Sequence, residues 1–405
     1  MVTRILGLVV LLACLALSSP PAAATSYSEE VVAFTTHDGL TIECILSFPA
    51  DAVRPAPGML LIPGSGLHDA DVTLDESTLE VTNGTQKLFR PLARHFSRNG
   101  WAVLRCNKRG ASFDHASDQP SILDTSSLDD LLEDARNALR TLHHHPRVAA
   151  RPLAVYGHSE GSILAARLAA EQPEIDLVIL AGTVARPMSA ILEYQLVDRN
   201  LVFFRQAADA DGDGALTLDE LDGLDGNSGL DSIYVLNCAE VLFTLSVGSD
   251  GMLQVHGFNA DTDVNGDGVL QIATEIKPAL RRETHRLLAM IQAGDLGAYL
   301  QSMFAAKPTR SFIHRLQTPI LFVHGALDVQ TPLEEALLLI KKLEAHGRSD
   351  SDLLVFPRLG HALSKPNDYF EDDGGLTILD NLTLNSPTKH VRRKLLNRIE
   401  ANLAD

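Results

Sequence analysis

The stretch Leu153-Ala154-Val155-Tyr156-Gly157-His158-Ser159-Glu160-Gly161-Ser162-Ile163-Leu164-Ala165-Ala166-Arg167-Leu168-Ala169-Ala170 decides how this chain is read. Its four leading apolar residues suit a buried strand, and the alanine- and leucine-rich run after Gly161 suits a helix. Between them the chain must turn sharply. Two glycines flanking Ser159 admit a strained backbone at that turn and leave open space beside the serine Oγ. Ser159 is therefore the first candidate for a reactive side chain.

Working outward, the apolar run Ile320-Leu321-Phe322-Val323 leads into His324-Gly325-Ala326-Leu327-Asp328. That places a carboxylate just past a strand's C-terminal end, where open α/β sheets put their sites. The run Leu353-Leu354-Val355-Phe356 is followed in the same way by Leu359-Gly360-His361-Ala362. Upstream, Met59-Leu60-Leu61-Ile62 leads into Pro63-Gly64-Ser65-Gly66, a turn able to aim the backbone N–H of Ser65 or Gly66, together with that of Glu160, at a developing negative charge. A glycine-flanked serine alone is a weak signal, but four such elements, each at a strand end, outweigh the reading as mere turns. Competing assignments exist for each residue. Asp328 could cap the helix expected after Thr331, although Thr331 suits that role better. His158, His324 and the run His143-His144-His145 compete with His361, and the last of these fits a helix C-terminus. A carboxylate in a helix's first turn needs no chemistry, so only the N–H of Glu160 is assigned.

The order Ser159, Asp328, His361 resembles the α/β-hydrolase superfamily. So do Gly64-Ser65-Gly66-Leu67-His68-Asp69-Ala70-Asp71 and the segment from Phe89-Arg90-Pro91-Leu92-Ala93 to Arg105-Cys106-Asn107-Lys108-Arg109-Gly110, which look like its esterase and acyl-peptidase-like branch. Asn107 stands where that branch usually carries an aspartate, and residues 107–110 are read as architectural. The resemblance implies an α/β fold with a mostly parallel central sheet flanked by helices. It also implies a Ser159 nucleophile, a His361 base, an Asp328 acid and a small-molecule acyl substrate cleaved through an acyl-enzyme. Ester hydrolysis is the expectation, with peptidase or thioesterase chemistry open. From a different class, a non-catalytic calcium-binding adhesion or docking module remains an alternative.

Strand-like patterning stops after Leu177-Val178-Ile179-Leu180-Ala181 and resumes only at Ile320. Residues 186–315 are therefore expected to form a mainly helical lid, inserted between core parts 25–185 and 316–405. Within it, residues 209–220 match a calcium-binding EF-hand loop position by position. Asp209, Asp211 and Asp213 supply side-chain oxygens, Gly214 occupies the turn's glycine position, Ala215 offers a carbonyl, Thr217 stands at position 9 and Glu220 at position 12. A second loop, 263–275, repeats the pattern with Asp263, Asn265, Asp267, Val269 and Gln271. Its twelfth residue is Thr274, and Glu275 falls one place late, so calcium there is expected to bind more weakly unless the helix entry shifts to present Glu275. Leu216 and Leu270 are placed to pair the loops through a short β contact. Helices are expected over Leu192 to Phe204 and over Pro278 to Gln292, the latter stopped by Gly294.

The chain of 405 residues, 45% hydrophobic, can bury a large core plus an insertion. Its net charge of -18 argues against nucleic acid and anionic membrane surfaces as partners. Residues 1–24 have the basic, apolar and small-residue regions of a secretory signal, too short for a stable transmembrane span. The protein is thus expected to be exported, periplasmic or extracellular, with lipid anchoring through Cys14 as a variant of that reading. Cys44, Cys106 and Cys238 would remain, an odd number that cannot form a disulfide framework; Cys44 and Cys106 are read as buried apolar side chains, although neighbouring strands could bring the two together. Leu128, Leu131, Leu132, Ala135, Leu139 and Leu142 form one helix face after Ser127. Oligomeric state has no signature in the sequence.

Overall fold

The computed structural model describes residues 26–74, 86–222, 240–247, 253–363 and 387–404. The expected export segment, with Cys14, and Cys238 lie outside the described residues. Eight strands form the main sheet: β1 Tyr27–Thr35, β2 Thr41–Pro49, β3 Ala56–Ile62, β4 Ala102–Cys106, β5 Val148–His158, β6 Leu177–Ala181, β7 Ile320–Gly325 and β8 Ser351–Phe356. Their spatial order is β1-β2-β4-β3-β5-β6-β7-β8. β2 runs antiparallel to both β1 and β4, and every other pairing is parallel. The central strands read as continuous apolar runs because both sheet faces are covered, and every residue of β6 and β7 is buried.

One face is covered by α2 (Leu128–His143), α3 (Glu160–Glu171) and α6 (Glu334–Glu344), the other by α1 (Phe89–Arg98) and α7 (Lys389–Ala404). The apolar face of α2 is buried as its spacing predicts, and Ser127 with Asp130 closes a capping box at its start. This is the α/β-hydrolase fold. Between β6 and β7 lie a helical stretch over residues 188–208, the two acidic loops, α4 (Lys277–Ala293) and α5 (Ala298–Ala305). Part of this insertion has its own core, in which Leu201, Phe203 and Phe204 meet Leu216, Leu270, Ile276 and Leu280. A short hairpin, Phe243–Val247 with Leu253–Phe258, adds strand to a segment expected to be mainly helical. Gly294, in the left-handed conformation, ends α4.

Two sequence readings are corrected. Cys44 and Cys106 are not separate thiols but a disulfide, because the register of β2 against β4 sets them directly opposite each other. Thr331 does not cap α6, whose N-cap is Leu333 without a side-chain cap. The Thr331 hydroxyl instead donates to the Gly182 carbonyl, 3.0 Å away, and lies 3.0 Å from Asp328 Oδ2.

Candidate active site

Ser159 sits where β5 gives way to α3, at φ 56 and ψ −123, a conformation that L residues adopt only under strain. The flanking glycines are steric requirements. A Cβ on Gly157 would come within 2.1 Å of the Gly161 carbonyl oxygen, and one on Gly161 within 2.3 Å of the Ile62 oxygen. The close approach of Gly161 to the end of β3 sets the elbow against the Gly64 loop, where a Cβ on Gly64 would lie 3.0 Å from the Ser159 Cβ.

Asp328 follows β7 and His361 follows β8, and their side chains meet with Nδ1 to Oδ2 at 2.8 Å. Both residues are buried. The acid is held in place from several sides. The amides of Gln330 and Thr331 donate to Oδ1 at 2.9 Å each, and His324 Nε2 lies 3.5 Å from Oδ2. Burial alone would raise the Asp328 carboxyl, but the charge and hydrogen bond of His361 and the neighbouring donors hold it at about 2. His158 packs on the His361 ring with centroids 4.6 Å apart, and its Nε2 meets the His361 carbonyl oxygen at 2.9 Å. Burial, reinforced by the charge of His361, depresses His158 to about 3, so it is a neutral prop. His324 likewise serves the acid's loop, its Nε2 2.7 Å from the Thr331 carbonyl oxygen.

Ser159 and His361 open into one cleft of about 350 Å³, whose wall also includes Gly64, Ser65 and Glu160. The rest of that wall is mostly apolar. Val72, Leu74 and Leu88 come from the core, Met188, Ile191 and Leu192 from the 188–208 stretch, and Leu287, Ile291, Leu300, Met303 and Phe304 from α4 and α5. The Glu160 side chain is not a solvated carboxylate at a helix start. It is 1% exposed, paired with Lys108 Nζ at 3.0 Å and hydrogen-bonded by the Tyr299 hydroxyl. Lys108 and Tyr299, like Thr331, are site neighbours that sequence reading left out. The basic residue in Lys108-Arg109-Gly110 was visible but carried no mark of its partner. Its neighbours there are structural, since Arg109 chelates Asp134 at 2.7 and 2.9 Å and Asn107 Oδ1 accepts from the Ala70 amide.

The acidic loops lie away from this cleft and share the bonds that hold their final carboxylates. In 209–220 the amides of Ala210 and Thr217 donate to the two Glu220 oxygens, at 3.1 and 2.9 Å. In 263–275 the amides of Val264 and Gln271 do the same for Glu275, at 3.2 and 2.9 Å. The extra residue is absorbed by a π-helical turn, Ile272–Ile276, which brings Glu275 into the place that Glu220 occupies in the first loop. Leu216 pairs with Leu270 and Ala215 with Gln271 in a two-strand ribbon. Side-chain oxygens of Asp209, Asp211 and Asp213 converge within 4.8 Å of one another, and the buried Asp209 Oδ1 has no hydrogen-bond partner. An oxygen cluster of this kind suits a hard divalent cation. The second loop satisfies more of itself, for Asp263 Oδ1 accepts from the Gly266 amide and the Asn265 amide group donates to Asp267. Thr217 and Glu220 are linked by a hydroxyl hydrogen bond of 2.9 Å, while Ala215 and Val269 hold the seventh positions, each amide bonded to an aspartate of its own loop.

Two family models match the chain. One, described as "Serine aminopeptidase, S33", covers residues 83–206 and so includes Ser159. The other, the prolyl oligopeptidase family, covers residues 281–373 and so includes Asp328 and His361. A search of curated proteins finds no match for the chain. Among solved structures the chain is similar to an α/β hydrolase from Penicillium sp. sh18, at 16% identity and a TM-score of 0.47, over 93% of this chain and 98% of that one. It is also similar to an esterase from Pyrococcus furiosus, at 12% identity and a TM-score of 0.48, over 93% and 91%. An acylaminoacyl peptidase from Pyrococcus horikoshii matches at 12% identity and a TM-score of 0.44, over 87% of this chain and 39% of that one. The fold is that of the α/β hydrolases, and both family matches are to serine hydrolases of that fold. Within that class each match spans less than half of the chain, and the two carry different peptidase names.

Proposed function

We propose that this protein is an exported carboxylic-ester hydrolase, acting on small substrates with an uncharged, apolar acyl group, whose lid binds calcium. The observation that carries the reading is the buried His361–Asp328 pair opening, with the strained Ser159, into one cleft with a largely apolar wall. His361 takes the Ser159 proton as Oγ attacks the acyl carbonyl. Asp328 keeps the imidazole in the tautomer that can accept it and offsets the charge that forms. The N–H groups of Ser65 and Glu160 face the oxyanion, and water then releases the acid from the acyl-enzyme. Aliphatic and aromatic side chains from both the core and the insertion suit a hydrocarbon chain better than a charged peptide terminus.

Calcium belongs to the same reading through the insertion. The helical stretch 188–208 ends at Asp209, the first candidate ligand, and the π-turn holding Glu275 runs directly into α4. Both elements then line the cleft. Asp209, Asp211, Asp213, Thr217, Glu220 and the Ala215 carbonyl would hold the first ion, and Asp263, Asn265, Asp267, Gln271, Glu275 and the Val269 carbonyl the second. Calcium supplies rigidity there and takes no part in the chemistry. Export is supported by the Cys44–Cys106 disulfide, which persists in oxidising compartments. No helix among the described residues is long and apolar enough to cross a membrane.

Hydrolysis of a matched series tests the assignment: p-nitrophenyl esters of increasing acyl length, the corresponding thioesters and aminoacyl anilides. The expected result is kcat/KM rising with acyl length to a maximum, with esters well above anilides. Anilide cleavage at or above the ester rate would make the protein a peptidase.

A further inference from the structure

Beside the cleft lies a buried polar cluster that the triad chemistry does not use. Lys108, 7% exposed, spends its three N–H donors on three acceptors: the Gly64 carbonyl at 2.8 Å, Glu160 Oε1 at 3.0 Å and the Tyr299 hydroxyl oxygen at 3.3 Å. Tyr299, 5% exposed, donates its hydroxyl proton to Glu160 Oε2 and sets its ring 5.2 Å from the ammonium. Three separate parts of the chain meet there. Gly64 belongs to the loop after β3, Glu160 directly follows Ser159, and Tyr299 stands in the first turn of α5 within the insertion.

We propose that Lys108, Glu160 and Tyr299 form a clasp that aims the two oxyanion N–H groups and makes their alignment depend on the seating of α5. The inference rests on the reading of Ser159 as nucleophile. The peptide plane makes the link to Gly64 directional. In a trans peptide the Gly64 C=O and the Ser65 N–H point in opposite directions, so drawing the carbonyl inward onto Lys108 turns the Ser65 N–H outward. Gly64 and Ser65 both line the cleft. The Gly66 amide, the other donor considered, approaches the Tyr299 oxygen instead. On the opposite side, anchoring the Glu160 carboxylate at both oxygens fixes the residue whose own N–H is the second donor.

The cost of this arrangement argues for a purpose beyond cohesion. A buried lysine and carboxylate replaced by apolar side chains of similar size often leave stability unchanged or improved. The charge pair here sits against the two backbone segments whose orientation decides transition-state binding. Burial, with the negative charge of Glu160, pushes the Tyr299 phenol well up, so it stays a donor over the working pH range. Lys108, Glu160 and Tyr299 are positioning residues. None of them lies in the proton path from Ser159 to His361. Leu300, Met303 and Phe304 of the same helix form part of the acyl wall, so a chain that seats α5 also seats the clasp.

Tyr299→Phe removes one hydroxyl and keeps the ring, and it is the variant least able to disturb folding. Steady-state kinetics on the best ester should show kcat down by on the order of 10-fold with KM within about twofold, because a misaimed donor is felt in the transition state. Affinity for a boronic acid, which forms a tetrahedral adduct with the serine, should fall in parallel. Lys108→Met should lose more, and the double variant Lys108→Met/Tyr299→Phe no more than Lys108→Met alone, since both act through one unit. Glu160→Gln, which keeps an acceptor for the tyrosine, should retain more activity than Glu160→Ala. Wild-type kcat and boronate affinity in Tyr299→Phe would overturn the proposal, as would a change confined to KM or to melting temperature. Failure of the nucleophile reading shows separately, as a wild-type protein that forms no boronate adduct at all.

Discussion

The sheet-edge site and the acidic loops are assembled by opposite means. Ser159, Asp328 and His361 come from three strand ends far apart in sequence, and the site's acid and base are buried and hydrogen-bonded to each other. The candidate ligands of each acidic loop come from 12 or 13 consecutive residues, include the exposed Asp211, Asp213, Asn265 and Asp267, and leave Asp209 Oδ1 without a partner. One site is organised by the fold, which brings its residues from three strand ends to one cleft. The other is organised by local turns and has its negative charges gathered without a counter-charge. The first should therefore tolerate loss of calcium in its own geometry, and the second should feel it at once.

The largest expected effect lies at the sheet edge. Ser159→Ala should lower kcat by a factor on the order of 10⁴ or more without lowering the melting temperature, as measured on the best ester and by calorimetry. Asp328→Asn should cost on the order of 10³ to 10⁴ in kcat, because the imidazole loses the partner that fixes its tautomer. A loss of less than tenfold in either would show that the buried pair is scaffold.

Burial also makes the sheet-edge site acid-sensitive. His158 is depressed to about 3 in the folded protein, whereas its ordinary value is 6.5. The unfolded chain binds that proton first. Stability from this group is therefore complete above pH 6.5 and falls as the pH drops, until the folded histidine also protonates near pH 3. Between pH 6.5 and 4.5 the loss should be on the order of 2 to 3 kcal/mol. His158→Asn should flatten that part of the profile in urea melts, and an identical slope in the variant would remove His158 as its source.

Ser159, Asp328 and His361 were legible in sequence because each carries a local signature, a polar residue just past an apolar run. The acidic loops were legible because all their candidate ligands are neighbours, and even the late Glu275 was visible as an irregularity. The partners of Lys108 were not legible. Tyr299 is 191 positions away and stands in an unremarkable helix. The disulfide was undecidable for a related reason. Pairing required the register of β2 on β4, which no local pattern encodes. Thr331 misled because the same residue type serves as a helix cap and as a hydrogen-bond partner of an acid, and only the observed start of α6 separates the two.

Smaller effects belong to the loops. Saturating calcium at about 100 times Kd should add on the order of 2 to 3 kcal/mol, raising the melting temperature by several degrees over chelator-treated protein. Glu220→Gln should remove most of that shift. Glu275→Gln should remove less, because the second loop carries one fewer carboxylate and already satisfies Asp263 and Asp267 internally. Equal losses in the two variants would mean that the loops act as one coupled unit through the Leu216–Leu270 ribbon.

The most direct test of the central claim is reaction of the purified protein with a fluorophosphonate probe, read by intact mass and peptide mapping. The account predicts a single adduct on Ser159, formed to completion and absent from Ser159→Ala. No adduct, or one on another residue with Ser159 untouched, would contradict it.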